Sequence, residues 1–160
     1  MRERELASAT KPPEEASLNY HITFSTKERR PLLTPELRSR TYNYIAGMTR
    51  SMGGIPVEIN GQPDHLHLLI RWKPDESVSD LVKTIKSKSS GWINREKLLS
   101  CRFYWQEGFG AFSVSHSQIG AVRRYIQKQE EHHKKRSFQD EFRRLLDACG
   151  IEYDERYIWL

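Results

Sequence analysis

The sequence predicts an α+β fold of the ferredoxin-like (RRM-like) kind, a four-stranded antiparallel sheet with helices, followed by additional C-terminal helices. Three observations carry that prediction. Period-two alternation marks strands around Tyr20–Ser25, Ile55–Ile59 and His65–Ile70, and capping signals open helices at Thr34 and Ser77. The resulting order is strand-helix-strand-strand-helix-strand, with helical patterns after it. In this topology the first and third strands lie side by side at the centre of the sheet. The face opposite the two crossover helices is then expected to be open.

Each element has a local cause. Tyr20, Ile22 and Phe24 alternate with His21, Thr23 and Ser25, then run into the basic loop Lys27-Glu28-Arg29-Arg30-Pro31. Thr34-Pro35-Glu36 combines an N-cap, a proline at the first helical position and an acid near the positive dipole end. Leu37, Tyr44, Ile45 and Met48 supply an apolar stripe, and Gly53-Gly54 stops the helix. Ile55, Val57 and Ile59 form the second strand, and Asn60-Gly61-Gln62-Pro63 is expected to turn the chain into the third. Ser77-Val78-Ser79-Asp80 resembles a capping box ahead of Val78, Leu81, Val82 and Ile85.

Farther on, Arg102–Trp105 and Ala111–Val114 read as short strand segments around Gly108-Phe109-Gly110. Their aromatics suit core packing, and could alternatively stack on unpaired bases. Ser117 is placed to cap a long helix from Gln118 to about Lys135, and Ser137 to open a last amphipathic helix with Phe138, Phe142, Leu145 and Leu146. The aromatic segment Ile151–Leu160 is expected to dock on its own domain or on a second subunit. Met1–Ser17 is charged and polar, and reads as a flexible tail ahead of one domain spanning 18–160.

Composition narrows the function. The chain has 160 residues, enough for one domain with a substantial core, and 26 Lys+Arg against 21 Asp+Glu give a net charge of +5. A pI of about 9.3 is compatible with a phosphate-bearing partner as well as with an ordinary basic protein. Two cysteines, Cys101 and Cys149, fit neither a disulfide framework nor a zinc cluster, which points to a reducing cytoplasm. No apolar run approaches the roughly 20 residues needed to span a bilayer, so no membrane partner is expected.

The candidate chemistry begins on the third strand. His65 and His67 share a face of a stiff strand and can converge on one cation. His-x-His alone is more often a surface or packing feature. The second element lies sixty residues on, where Tyr125 and Gln129 stand one helical turn apart, with His133 a further turn along. A tyrosine alone on a helix is usually a packing residue. Together, two imidazoles and an amide oxygen make a three-ligand site suited to Mg²⁺ or Mn²⁺, a Lewis acid for a scissile phosphodiester. Tyr125 is then the covalent nucleophile, giving a 5′-phosphotyrosine and a free 3′ hydroxyl. Lys27, Arg29, Arg30, Lys83, Lys86, Lys88, Arg123 and Arg124 are candidate phosphate contacts, although basic surfaces are commonly just solvated.

Several motifs occur in a shared order: Thr23-Phe24-Ser25-Thr26-Lys27, Asp64-His65-Leu66-His67-Leu68-Leu69, Trp105-Gln106-Glu107-Gly108, Phe112-Ser113-Val114-Ser115 and Tyr125-Ile126-x-x-Gln129-Glu130-x-His132-His133. In this order the chain resembles the small single-tyrosine HUH transposases of bacterial insertion sequences, including the REP-associated tyrosine transposases. The resemblance spans about Leu18 to Leu160 and implies an HUH catalytic domain with a C-terminal catalytic helix and an extra helix. It implies Tyr125 as nucleophile and His65, His67 and Gln129 as metal ligands. It also implies single-stranded DNA with hairpin ends as partner, a homodimer sharing active sites between subunits, and a nucleoid-associated bacterial enzyme. His132 and His133 either assist or merely cap the helix.

Two alternatives stand beside this reading. One is a domesticated enzyme that nicks and rejoins hairpin repeats, and the other a non-catalytic single-stranded nucleic-acid binding module. A metal-dependent hydrolase is disfavoured because Asp64 and Glu130 form no carboxylate pair spaced to activate water.

Overall fold

The computed structural model describes residues 15–133 and 136–160, with side chains of His132 and His133 outside the description. The expected tail therefore falls mostly outside the described residues, as does the end of the helix expected to reach Lys135. Four strands form one sheet: β1 (Leu18–Ser25), β2 (Ile55–Gln62), β3 (His65–Trp72) and β4 (Gly110–Val114). All neighbours are antiparallel and the order is β2-β3-β1-β4, so β1 and β3 are central as the topology predicts.

Helices α1 (Pro35–Ser51) and α2 (Val78–Arg95) start where their caps predict. The Thr34 hydroxyl accepts from the Leu37 amide, and the Ser77 hydroxyl from the Asp80 amide. Both cover one sheet face. Leu37, Ile45, Leu81 and Ile85 pack there against Ile22, Phe24, Leu66, Leu68 and Ile70, all buried.

The opposite face is covered as well, contrary to the open face expected. Helix α3 (Ile119–Gln127) packs Ile126 on Leu69 and Val114, and α5 (Phe138–Ala148) packs Phe138, Phe142 and Leu146 on Phe112. The C-terminal segment docks on its own chain, with Tyr153, Ile158 and Trp159 against this second cluster. Apolar residues on β4 and β3, Phe112, Val114 and Leu69, give these helices a surface to bury, which an open face would leave in water.

Three local expectations are corrected. The β2–β3 hairpin turns at Pro63-Asp64, because Gln62 pairs with His65 and Asn60-Gly61 lies within β2. Proline presets the turn, whereas Gly61 is needed for close approach: a Cβ there would run into the His65 carbonyl oxygen. Arg102–Trp105 is a loop with a single bridge from Trp105 to Thr26, its Phe103 and Trp105 rings buried as core. The long C-terminal helix is divided. A 3-10 turn at His116–Gln118 precedes α3, so Ser117 lies inside that turn, and the chain breaks at Lys128 before α4 (Gln129–His133).

Candidate active site

The tight turn into β3 delivers both histidines to the α3–α5 side of the sheet. Thr26 fixes the turn, its amide donating to the Asp64 carbonyl at 2.8 Å. The Asp64 carboxylate lies 2.7 Å from Nδ1 of His65, which leaves Nε2 facing inward. Phe138 stacks on the His65 ring at 4.4 Å between centroids. On the next inward position, His67 meets Nε2 of His21 through Nδ1 at 2.8 Å. The His65 and His67 rings stand 5.1 Å apart and nearly perpendicular. Burial, together with the neighbouring His67, pushes the His21 pKa down to about 3, so its ring is neutral; Glu141 opposes this.

Glu141 is a site residue that the sequence reading passed over. It stands on α5, whose N-cap Ser137 accepts from the Asp140 amide as expected. Phe138, Phe142 and Leu146 press this helix onto the sheet, and Glu141 shares their buried face at 5% exposure. Its Oε1 lies 2.6 Å from His67 Nε2. An acid within an apolar stripe was the available signal, since a carboxylate is rarely buried without a partner. The potential ligand atoms of His65, His67 and Glu141 all lie within 4.8 Å of one another.

Tyr125 arrives from α3. Its ring stands edge-on to His67 at 5.9 Å and to His21 at 6.0 Å, within the same chain. Burial raises the phenol pKa, and the charge of Glu141 and a hydrogen bond to it raise it further, while Gln129 acts in the opposite sense. The hydroxyl is therefore protonated at neutral pH. Gln129 is fully buried, and its contribution to the phenol is a hydrogen bond from the side-chain amide.

The break at Lys128 means that Tyr125 and Gln129 sit on separate helices rather than one continuous face. Asn60, which pairs with His67 across the hairpin, donates its amide to the carbonyls of Ile126 at 2.9 Å and Gln127 at 3.3 Å. Those are carbonyls at the end of α3, which need an acceptor's partner where the helix stops. The histidine strand and the tyrosine helix are thus tied through one β2 side chain.

Comparison with known proteins places this arrangement. The family model described as "Transposase IS200 like" matches residues 14–129. The chain belongs to the IS200-like transposase family. It is similar to the ISDra2 transposase TnpA of Deinococcus radiodurans, 24% identical over 120 residues, covering 71% of this chain and 85% of that one. Its fold resembles a crystal structure of a Deinococcus radiodurans protein considered a transposase, with TM-score 0.60, 22% identity, and coverage of 75% of this chain and 96% of that one. It also resembles a REP-associated tyrosine transposase bound to a REP hairpin, with TM-score 0.58, 16% identity, and coverage of 79% and 74%. This chain is accordingly a DNA transposase with the α+β fold that its sequence predicts.

The basic residues of the transposase fall into two groups. Lys27, Arg30, Lys83, Lys88 and Arg124 are exposed. Others are engaged: Lys86 Nζ donates to the carbonyls of Glu107 at 3.0 Å and Gly108 at 2.9 Å, and burial lowers its pKa to about 8. Arg123 pairs with Glu58 at 2.9 Å, and Arg29 lies over the Trp159 ring at 5.7 Å. Among the described residues of the transposase, no helix is long and apolar enough to cross a membrane.

The donor set fits a divalent cation. Two imidazoles have their Nδ1 atoms engaged by Asp64 and His21, directing both Nε2 atoms inward beside a buried carboxylate and the buried amide of Gln129. Mixed nitrogen and oxygen donors of this kind suit first-row divalent ions and Mg²⁺.

Proposed function

We propose that this transposase cleaves and rejoins single-stranded DNA through a 5′-phosphotyrosine on Tyr125, within a catalytic domain spanning 18–160. The observation that carries the reading is the placement of Tyr125 edge-on to His67 and hydrogen-bonded to Glu141, with buried Gln129 alongside. Pure binding requires none of these groups.

His65 and His67 would hold Mg²⁺ or Mn²⁺ through Nε2, with an oxygen from Gln129 or Glu141. The bound ion supplies Lewis-acid polarisation of the scissile phosphate and offsets its negative charge. The Tyr125 oxygen attacks phosphorus while its proton passes to the Glu141 carboxylate. The bond from phosphorus to the 3′ oxygen breaks, and that oxygen leaves as a hydroxyl after taking up a proton. Rejoining is the reverse, with the 3′ hydroxyl of another strand attacking the phosphotyrosine. The bond energy is conserved throughout, so no nucleotide cofactor is needed.

Hairpin-ended single strands are the substrate that the REP-hairpin complex of the fold relative supports. Membership of a DNA transposase family supports a cytoplasmic enzyme working at the bacterial nucleoid. A homodimer exchanging tyrosine helices is the arrangement that the family resemblance suggests, whereas Tyr125 beside His67 of the same chain supports a site completed within one subunit. Mixing Tyr125→Phe chains with His67→Ala chains separates the two, since activity returns only if helices are exchanged.

The direct test is a denaturing gel for covalent protein–DNA adduct, using single-stranded oligonucleotides from the ends of the native locus. A Mn²⁺-dependent adduct lost in Tyr125→Phe and in His67→Ala is expected. Tight hairpin binding with no adduct under any metal would replace this reading with that of a non-catalytic binder.

A further inference from the structure

We propose that His21 is a positioning residue, which holds His67 in the tautomer that a cation at Nε2 requires. The inference rests on the metal-dependent reading above and concerns a residue outside the proposed ligand set.

A neutral imidazole that offers the Nε2 lone pair to a cation must carry its proton on Nδ1. His67 is fully buried, so that N–H needs an acceptor inside the protein. Nε2 of His21 lies 2.8 Å from His67 Nδ1. For this nitrogen to accept, the His21 ring must be neutral and protonated on its own Nδ1. His21 then does for His67 what the Asp64 carboxylate does for His65 at 2.7 Å.

The strand register sets this contact. His21 pairs with Leu69 and Thr23 with His67, so the two imidazoles meet diagonally across β1 and β3 on the same face. Phe112 at 6.1 Å and Tyr125 at 6.0 Å pack around the His21 ring and restrict its rotation. Apolar neighbours would accommodate a phenyl ring equally well. Among the described residues, the hydrogen bond that uses a ring nitrogen of His21 is the one to His67.

The two ligands thereby differ in character. His65 is oriented by a partly exposed anion, and His67 by a buried neutral ring. Negative charge of the protein enters the site through Asp64 and Glu141 and not through His21, so a cation held there would gain orientation of His67 from His21 without a further anionic neighbour.

The test combines spectroscopy with two variants. In protein labelled with ¹⁵N-histidine and loaded with Mg²⁺, the proton is expected on His67 Nδ1, with nitrogen–nitrogen coupling across the hydrogen bond to an unprotonated His21 Nε2. By calorimetry without DNA, His21→Phe should weaken Mn²⁺ binding about ten- to a hundredfold, and His21→Gln, which restores an acceptor, should recover most of it. Hairpin binding in EDTA should be unchanged in both. A His67 proton on Nε2 in the Mg²⁺-loaded protein overturns the inference. So does a His21→Phe protein that binds Mn²⁺ like wild type. Wild type that binds no Mn²⁺ overturns the metal reading itself, and the inference with it. If His21→Phe does not fold, the wild-type tautomer and His21→Gln still decide.

Discussion

The carboxylate of Glu141 lies 2.6 Å from Nε2 of His67, the nitrogen that faces the centre of the site. Both groups are buried, and they come from a central strand and the last helix. Removing the carboxylate should therefore affect the cation before it affects the fold of the sheet. Glu141→Ala is expected to weaken Mn²⁺ binding at least about tenfold, judging by the effect of losing even outer partners of a metal site. The adduct yield at saturating Mn²⁺ should fall as well, because Tyr125 loses its proton acceptor. Calorimetry and the gel assay read the two effects separately. Unchanged affinity would remove Glu141 from the donor set.

The depressed pKa of His21 predicts a pH dependence of stability. Its value is about 3 in the folded chain and 6.5 when unperturbed, so the unfolded chain binds the extra proton between those limits. The contribution is fully present above pH 6.5 and is lost as pH falls toward 3. At pH 4 the loss should be about 3 kcal/mol. Thermal unfolding in EDTA from pH 4 to 7 should thus be steeper in wild type than in His21→Phe. Parallel slopes would contradict the assignment.

Gly110 lies under α5. A Cβ at this position would sit 2.5 Å from Cε2 of Phe142 and 3.1 Å from Cε2 of Phe112. Gly110→Ala should cost about 1–3 kcal/mol through overpacking. Because Phe142 and Glu141 share a helix, the strain should also reduce Mn²⁺ affinity. A variant with wild-type stability and affinity would mean that α5 shifts freely.

Exposed and engaged cations should behave differently with DNA. Neutralising Lys83 or Lys88, if each meets a phosphate, should lower the salt slope of binding by about 0.7–0.9 per residue. Lys86→Met should instead loosen the Glu107–Gly108 carbonyls that its amine bridges. That appears as faster amide exchange in this loop, with a smaller change in slope. Equal slope changes for all three would place Lys86 among the phosphate contacts.

What the sequence made legible was local or periodic. Thr34, Ser77 and Ser137 cap the helices they precede, because a cap needs only the next three residues. Strand periodicity was enough to put His65 and His67 on one face. Helical spacing put Tyr125 and Gln129 one turn apart, although Lys128 interrupts the helix they were expected to share. Glu141 was missed because, although an acid within the helix's apolar stripe signals burial, the partner it meets is set by α5 docking against β4, a tertiary event. The hairpin turn was displaced for a related reason: Asn60-Gly61 has strong turn chemistry, but Gly61 is required where the strand passes the His65 carbonyl. Phe103 and Trp105 have strand-like composition, and pack as core from a loop instead.

The interruption at Lys128 changes how the Tyr125 phenol and the Gln129 amide are related in space. On an unbroken helix their separation and bearing would be fixed by pitch, and turning one would turn the other. Here the backbone dihedrals of a single residue intervene, φ −97° and ψ 24°, with Asn60 gripping the carbonyls on the tyrosine side. Tyr125 and Gln129 are consequently two limbs on a joint. The bearing of the phenol is set by Asn60 and the sheet, and that of the amide by the start of α4, so a change at one need not turn the other.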